Sequence, residues 1–318
     1  MSNLETEPEE LVCPPESPAG VEILEPRDVP LGGPRAMGVR RTLPQKARSL
    51  IGAWCFVDHY GPEPSLMDVP PHPHTGLQTV SWLFSGEIEH RDGVGSHAMI
   101  VPGGLNLMTA GRGIAHSEVS LLSPEALEGN PPLLHGAQLW IALPDAARHG
   151  DPFFESYTPE PVTEGPATLR VFLGSLAGAT SPARVFSELL GAQIDLPAGS
   201  TVTLDVDPRF EFGALLDAGS LAIAGVDVPV SHLAYVPPGS QTLTLTAGST
   251  DARLLLIGGV PLGEPIVMWW NFIGRTHEEI VEYRADWEAG RRFAPVTGYA
   301  GSALPAPAIP PVRLRPRG

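Results

Sequence analysis

The sequence predicts an all-β protein, and three features of the chain support that prediction. Glycine and proline are abundant, with 35 and 36 of 318 residues, which favours many turns and disfavours long helices. From Arg35 onward, short apolar segments alternate with turns rich in Gly, Pro, Asp and Asn, as in all-β domains. Hydrophobic residues make up 42% of the chain, enough for a substantial core in one large domain or in two of ordinary size.

The first β-rich block follows an N-terminal tail. Residues 1–34 are rich in Glu and Pro and lack periodicity, which predicts a disordered or loosely packed tail that adds at most one strand, near Val21–Leu24. Residues 35–155 are expected to form a first domain. Its expected strands are Gln78–Phe84, Ile88–His90, Ala98–Val101, Asn106–Thr109 and Gln138–Leu143. The polar, proline-punctuated segment Asp145–Thr163 is typical of a linker or a crossing segment.

A second β-rich block is expected over residues 156–295. Its expected strands are Ala167–Leu173, Ala192–Leu196, Ser200–Asp205, Phe212–Leu216, Leu221–Ile223, Leu233–Val236, Gln241–Thr246 and Arg253–Ile257. The segment Tyr235–Gly239 echoes Ile100–Gly103, because each is an apolar strand end followed by a proline–glycine turn. This echo suggests an internal duplication of one β-domain.

One short helix is expected near the C-terminus. Thr276 can cap a run that ends near Gly290, and Glu278 and Glu279 suit its first turn. Residues 296–318 are rich in proline and arginine, which predicts a flexible tail.

The charge balance excludes several classes of partner. The formal net charge is -16, which disfavours direct nucleic-acid binding and docking on anionic lipid. No secretory signal and no apolar run of about 20 residues is visible. The two cysteines, Cys13 and Cys55, do not suggest a structural disulfide. We therefore expect a cytoplasmic protein without nucleic-acid or membrane partners.

Two short motifs indicate a metal site. His72 and His74 are one residue apart, and His116 and Glu118 have the same spacing. Alternate residues of a β-strand point to the same face, so two adjacent strands could place three imidazoles and one carboxylate around a point. This mix of N and O ligands suits iron, copper, nickel, manganese or cobalt. The second block contains neither motif, so we expect one metal per chain.

Other residues have a simpler interpretation that we favour. His90 and His97 could be outer partners that orient the metal ligands, but they are expected on surface strands or turns because no ligand spacing includes them. His59 lines the pocket mouth or packs in the core. Arg112, between two glycines, is expected to form a structural ion pair, and Cys55 is expected to be an inert buried thiol. Four tryptophans are expected in the core or at a domain interface, namely Trp82, Trp140, Trp269 and Trp270.

Several motifs together resemble the pirin family of the cupin superfamily over about residues 35–295. They are His72–Gly76, Ile88–Asp92, Met108–Glu118 and Ala137–Trp140, with looser matches at Glu264–Val267 and Arg275–Ile280. The resemblance implies a bicupin, in which two antiparallel β-barrels of the jelly-roll type pack face to face and the first holds the metal.

The same resemblance implies a ligand set. In pirins the ligands would correspond to His72, His74, His116 and Glu118, which agrees with the strand alternation. Many cupins use a glutamate four residues after the His-x-His, but here that position is Gln78, a poor ligand, which supports Glu118 as the acid of the site. We expect one mononuclear divalent transition metal, Fe(II) in first place, with Mn, Ni, Co, Cu or Zn as alternatives.

The resemblance also implies an activity. Some pirin-like proteins are quercetin 2,3-dioxygenases, so the expected substrates are a planar aromatic flavonol and O₂, with release of carbon monoxide. Glu118 is the expected catalytic base for the flavonol hydroxyl. The alternative is a non-catalytic, redox-sensing regulator that contacts a transcription factor or a metabolic enzyme. A structural bicupin with an empty site is disfavoured because all four ligand positions hold competent residues.

Overall fold

The computed structural model describes residues 20–31, 37–46, 48–121 and 129–318. Its strands are β1 (Glu22–Leu24), β2 (Arg27–Leu31), β3 (Met37–Leu43), β4 (Trp54–Pro64), β5 (Asp68–His74), β6 (Leu77–Ser85), β7 (Ile88–Asp92), β8 (His97–Ile100), β9 (Leu105–Thr109), β10 (Ile114–Ser120), β11 (Leu133–Ala142), β12 (Phe153–Tyr157), β13 (Val162–Glu164), β14 (Ala167–Leu173), β15 (Ser175–Leu176), β16 (Ala179–Thr180), β17 (Leu189–Leu196), β18 (Thr201–Asp205), β19 (Glu211–Ala218), β20 (Leu221–Ile223), β21 (Val226–Val228), β22 (Leu233–Val236), β23 (Thr242–Ala247), β24 (Ala252–Gly259), β25 (Val267–Trp269) and β26 (Phe272–Gly274). The one helix of the described residues, α1, spans His277–Glu288.

The strands form two barrels, each made of a seven-stranded and a four-stranded antiparallel sheet. The first barrel has the orders β12-β9-β6-β11-β4-β3-β2 and β5-β10-β7-β8. The second has the orders β1-β22-β19-β24-β17-β14-β13 and β18-β23-β20-β21. The sheets of the two barrels correspond strand by strand, so the chain contains one architecture twice. The all-β prediction is confirmed.

The turns whose likeness suggested the duplication do not correspond to each other. Ile100 ends β8 and Val236 ends β22, but the sheet orders pair β8 with β21 and β9 with β22. The sequence echo is therefore a chance likeness between two turns, because a proline–glycine pair after an apolar strand is a common way to reverse a chain.

Apolar side chains fill the second barrel where the first has histidines. β18 and β23 occupy the places of β5 and β10 in the sheet order. Their inward residues Val202, Leu204, Leu243 and Leu245 are buried in one hydrophobic cluster. None of these side chains can bind a transition metal, and no possible metal cluster of the described residues lies inside this barrel.

The two barrels pack against each other through a shared apolar core. Val80 and Trp82 of β6 lie in one cluster with Phe172 and Leu255 of the second barrel. The indole N–H of Trp82 donates to Gln193 Oε1 at 2.9 Å, and the indole of Trp54 donates to the Gly258 carbonyl at 3.1 Å. Buried indoles thus fill volume and satisfy their one polar group across the interface.

Segments beyond the second barrel return to the first. The β25–β26 hairpin and α1 form a hydrophobic cluster with Ala115 of β10, and Phe272 forms a bridge with Thr75, next to His74. Thr276 caps α1, as the sequence predicts, by accepting from the Glu279 N–H at 3.2 Å. The C-terminal cupin region therefore ends by covering the metal-motif barrel.

Described parts of both terminal segments pair with the barrels. β1 pairs with β22 of the second barrel and β2 with β3 of the first, so residues 22–31 connect the two barrels. In the C-terminal segment, the Leu304 N–H donates to the Pro71 carbonyl at 2.9 Å, and Tyr299 donates to Asp68 at 2.9 Å. The described part of residues 1–34 and the segment 296–318 thus lie on the barrels, because their backbone groups find strand edges to pair with.

No helix of the described residues is long and apolar enough to cross a membrane.

Candidate metal centre

Strand β5 presents its two histidines from the edge of the four-stranded sheet. Among the described strands it pairs only with β10, and an irregularity in register falls between His116 and Glu118, opposite Pro70 and Pro71. Proline lacks an N–H and is tolerated at edges and bulges. Pro70 also orients a side chain, since its carbonyl lies 2.9 Å from Nδ1 of His72. A carbonyl only accepts, so the proton of His72 is on Nδ1 and the Nε2 lone pair is free for a metal.

His72, His74 and His116 converge inside the first barrel. Their ligand nitrogens lie within 4.8 Å of one another, and the Nε2 atoms of His74 and His116 are 3.1 Å apart. All three side chains are fully buried. Burial lowers the pKa of His72 to about 3 and holds the pKa values of His74 and His116 well below the usual range. Three neutral imidazoles therefore face one another at neutral pH.

Glu118 lies beside the histidine trio, but its carboxylate oxygens are not within 4.8 Å of the ligand nitrogens of all three histidines. Its carboxylate groups with His116 and His90 within the same 4.8 Å limit. Ser81 Oγ is 2.9 Å from Glu118 Oε1 and 2.8 Å from Gln138 Oε1. Both oxygens are acceptors, so the one proton of the serine hydroxyl is shared between them.

His90 is a site residue that the sequence interpretation misplaced. It is 2% exposed, its Nδ1 is 3.3 Å from Nδ1 of His116, and its ring stacks on Phe154. The expectation of a surface residue is wrong because His90 and Asp92 alternate on β7 as His116 and Glu118 do on β10, and the two strands pair. The sequence does contain a signal for this role, because His90 and Asp92 have the same spacing as His116 and Glu118.

Four other sequence interpretations have clear outcomes. His97 is exposed and pairs with Glu89, and Arg112 forms an ion pair with Asp151. Cys55 is buried and free, and burial raises the pKa of its thiol well above the usual range. The four tryptophans named above are all buried. Cys13 lies outside the described residues.

Gln78 faces away from the histidines. Its amide donates to Thr109 Oγ1 and to the Arg184 carbonyl of the second barrel, both at 2.9 Å. Even-numbered positions of β6 face the other barrel. A glutamate at this position would therefore not reach the trio in this register, which removes it as an alternative acid.

Sequence models of two domains match the chain. The Pirin model matches residues 36–141, and the Pirin C-terminal cupin domain matches residues 191–294. The chain belongs to the pirin family. The first match contains every residue of the histidine trio and Glu118, and the second contains strands β18 to β24 of the apolar barrel and α1.

Two proteins are similar to this chain over nearly its whole length. A Pseudomonas aeruginosa protein provisionally named a quercetin 2,3-dioxygenase is 42% identical over 304 residues, covering 94% of this chain and 93% of that protein. The crystal structure of quercetin 2,3-dioxygenase from Acinetobacter baumannii superposes with a TM-score of 0.85 at 34% identity, covering 92% of this chain and 97% of that one. The bicupin fold predicted from the sequence is confirmed.

A third likeness concerns the fold alone. A bacterial pirin from Escherichia coli, solved in complex with nickel(II), has a TM-score of 0.60 at 17% identity and covers 76% of this chain and all of that one.

The donor set of this pirin fits a metal ion. Nε2 of His72 is buried and has no hydrogen-bond partner among the described residues. A buried polar atom without a partner is costly, and a metal ion at this point could accept a lone pair from it and from the nearby Nε2 atoms of His74 and His116. Nitrogen ligands with an adjacent carboxylate suit a first-row divalent ion.

A second polar cluster, which no sequence motif predicts, lies at the seam between the barrels. His59 Nε2 is 2.7 Å and His135 Nε2 is 2.5 Å from Oδ1 of Asp217. Arg253 donates to Oδ2 of the same carboxylate at 2.6 Å. His59 and His135 belong to the first barrel and Asp217 to the second, so this cluster links them. The pocket-mouth alternative for His59 is thereby excluded in favour of packing.

Proposed function

We propose that this pirin is a metal-dependent dioxygenase that opens the central ring of a flavonol such as quercetin with O₂ and releases carbon monoxide. The observation behind the proposal is the convergence of three fully buried, neutral imidazoles beside a buried carboxylate. The names of the related proteins from Pseudomonas and Acinetobacter support the same reaction.

In this proposal His72, His74, His116 and Glu118 hold one divalent ion. When bound, the ion would supply a Lewis acid for the substrate oxyanion and a redox centre for dioxygen. Fe(II) is the ion we propose first. Each imidazole offers one nitrogen, and the neutral state that burial imposes keeps the lone pairs free.

Glu118 has a second proposed role as the base that accepts the proton of the flavonol 3-hydroxyl. A carboxylate beside the histidines is within the region where that hydroxyl would bind, and Ser81 holds it by one hydrogen bond. The buried surroundings exclude bulk water, which strengthens the electrostatic effect of each donor and acceptor.

The test is reconstitution of the metal-free protein under anaerobic conditions with Fe(II), Mn(II), Ni(II), Co(II) or Cu(II) separately. Quercetin and oxygen are then added, and flavonol absorbance and released carbon monoxide are followed. We expect turnover with at least one ion. Glu118→Gln should keep part of its metal and lose turnover by about 10²-fold or more, the usual contribution of a general base, whereas Glu89→Gln on the neighbouring strand should not.

Each result has a defined meaning. Wild-type turnover in Glu118→Gln would remove its role as base while leaving the metal site intact. One bound ion per chain without turnover for any metal would overturn the dioxygenase and favour the alternative, a cytoplasmic metal-binding regulator that acts through a protein partner. A pull-down would then identify that partner.

A further inference from the structure

Three side chains of the first barrel form a continuous hydrogen-bonded chain that ends at the metal centre. Asp92 Oδ2 is 3.1 Å from Nε2 of His90, and Nδ1 of His90 is 3.3 Å from Nδ1 of His116. All three residues are buried, with 2% of His90, 2% of Asp92 and none of His116 exposed. We call this chain the Asp92 relay.

Asp92 itself is fixed by the turn that follows β7. The backbone N–H groups of Val94 and Ser96 both donate to its Oδ1, at 3.0 and 2.8 Å. Its Oδ2 is therefore the oxygen left for His90. The His90 ring is also held from the side, because it stacks on Phe154 with centroids 4.5 Å apart and planes 20° apart.

The direction of every hydrogen bond in the relay follows from Asp92. A carboxylate only accepts, so Nε2 of His90 carries the proton that it donates to Oδ2. With the His90 proton on Nε2, its Nδ1 is the accepting nitrogen, and the 3.3 Å contact between the two Nδ1 atoms takes its proton from His116. Since a neutral imidazole has one proton, Nε2 of His116 presents its lone pair, and this is the nitrogen that faces Nε2 of His74.

We propose that His90 and Asp92 are positioning residues of the metal centre, which set the tautomer and ring orientation of His116 rather than binding the ion themselves. This inference rests on the proposed metal site and adds two residues that contact a ligand but do not bind the ion. His72 is oriented by a simpler form of the same device, its Nδ1 facing the Pro70 carbonyl. Outer partners of this kind raise the basicity of the ligand and fix its aim.

Asp92→Asn is the discriminating variant, because it keeps the shape and reverses the relay. The Val94 and Ser96 N–H groups still require an oxygen at the Oδ1 position, so the new NH₂ group occupies the Oδ2 position and donates to His90. Nε2 of His90 must then accept, its Nδ1 becomes the donor, and Nε2 of His116 gains the proton. The nitrogen needed by the metal is thereby blocked.

The first readout uses the metal-free wild-type protein and needs no variant. With ¹⁵N-labelled histidine at pH 7.5, imidazole NMR shifts should show His90 protonated on Nε2 and His116 on Nδ1. In Asp92→Asn both assignments should exchange. His116 protonated on Nε2 in the wild-type protein would overturn the inference, even if the dioxygenase is confirmed.

The second readout is cobalt binding. Co(II) titration, followed by its visible absorption bands, should show a 10- to 100-fold weaker affinity for Asp92→Asn. Glu89→Gln is the matched control, because Glu89 accepts from His97 at 2.8 Å on the same sheet but on its exposed side. It should bind Co(II) as tightly as the wild-type protein.

The outcomes separate this inference from the proposed function. Unchanged Co(II) affinity in Asp92→Asn, or a paramagnetic shift that shows Co(II) bonded directly to His90, would overturn the positioning role. Neither outcome bears on whether the loaded enzyme cleaves quercetin, and absence of quercetin turnover leaves the tautomer measurement fully informative.

Discussion

At the scale of single residues, strand alternation and burial explain the candidate centre. Every second residue of β5, β7 and β10 points inward, which brings His72 and His74 together and sets His116 beside Asp92. Burial then keeps the imidazoles neutral, since charging them would require water that the barrel excludes. A bound divalent ion would accept the lone pairs of these buried nitrogens.

The residue-scale prediction concerns His74. The wild-type protein should bind one equivalent of metal per chain, and His74→Ala should abolish stoichiometric binding, because the trio loses one of its nitrogens. Elemental analysis after reconstitution and desalting measures this directly. The exposed His97→Ala serves as control and should bind one equivalent.

Two findings would contradict the assignment of the site. Full occupancy in His74→Ala would show that this imidazole is not a ligand. Two ions in the wild-type protein would show a further site, contrary to the single histidine motif in the sequence.

At the scale of elements, the segment after the second barrel belongs structurally to the first. The β25–β26 hairpin buries Phe272 completely, and its ring packs near those of Trp269, Trp270, Tyr283 and Phe293. Its backbone forms the bridge to Thr75. The hairpin is thus a structural cover for the strand that presents His72 and His74.

The element-scale prediction is that Phe272→Ala destabilises the protein by about 3–5 kcal/mol, the usual cost of removing a buried phenyl ring. Urea unfolding followed by tryptophan fluorescence measures the change. Val281→Ala on α1, which removes a side chain that is 40% exposed, should change stability by less than about 0.5 kcal/mol. Equal effects of the two substitutions would show that the hairpin does not pack as described.

At the scale of the whole molecule, the two barrels are held by an apolar interface with a polar cluster at its edge. The carboxylate of Asp217 is fully buried between His59 and His135 and also binds Arg253. On its other side, Nδ1 of His59 lies 3.3 Å from the Arg40 guanidinium. Arg40 donates to Nδ1 of His59, and Asp217 accepts from Nε2. An imidazole that accepts at one nitrogen and donates from the other carries one proton and is neutral.

The whole-molecule prediction is a pH dependence of stability. Burial lowers the pKa of His59 in the folded protein, so between that pKa and the unfolded value near 6.5 only the unfolded chain is protonated. The contribution of His59 is therefore complete above about pH 6.5 and is lost as the pH falls below it, by at most about 1.4 kcal/mol per pH unit.

Urea unfolding of the metal-free protein at pH 7.5 and 5.5 measures this dependence. His59→Gln should show a smaller loss of stability between the two pH values than the wild-type protein. His72, His74 and His116 also have lowered pKa values, but they contribute equally in both proteins and cancel in the comparison. An identical loss in both would contradict the assignment of a neutral His59.

Features that depend on local pattern can be predicted from the amino-acid sequence alone. The all-β class, most of the strands and the helix capped by Thr276 follow from turn residues and apolar periodicity. The pairing of His72 with His74, and of His116 with Glu118, follows from the two-residue period of a strand. The pirin family can be recognised from the sequence because its motifs are short and contiguous.

The neighbours of each strand cannot be predicted from local pattern and are seen only in the folded chain. His90 and Asp92 share the period of the recognised motifs, yet their role depends on β7 pairing with β10. His59 and Asp217 are 158 residues apart, and their contact exists only because two barrels meet. Residues after Pro261 likewise contact the first barrel, through the β25–β26 hairpin, and no local pattern predicts this contact. Alternation is a property of one strand, whereas strand pairing and barrel packing are settled by burial summed over the whole chain.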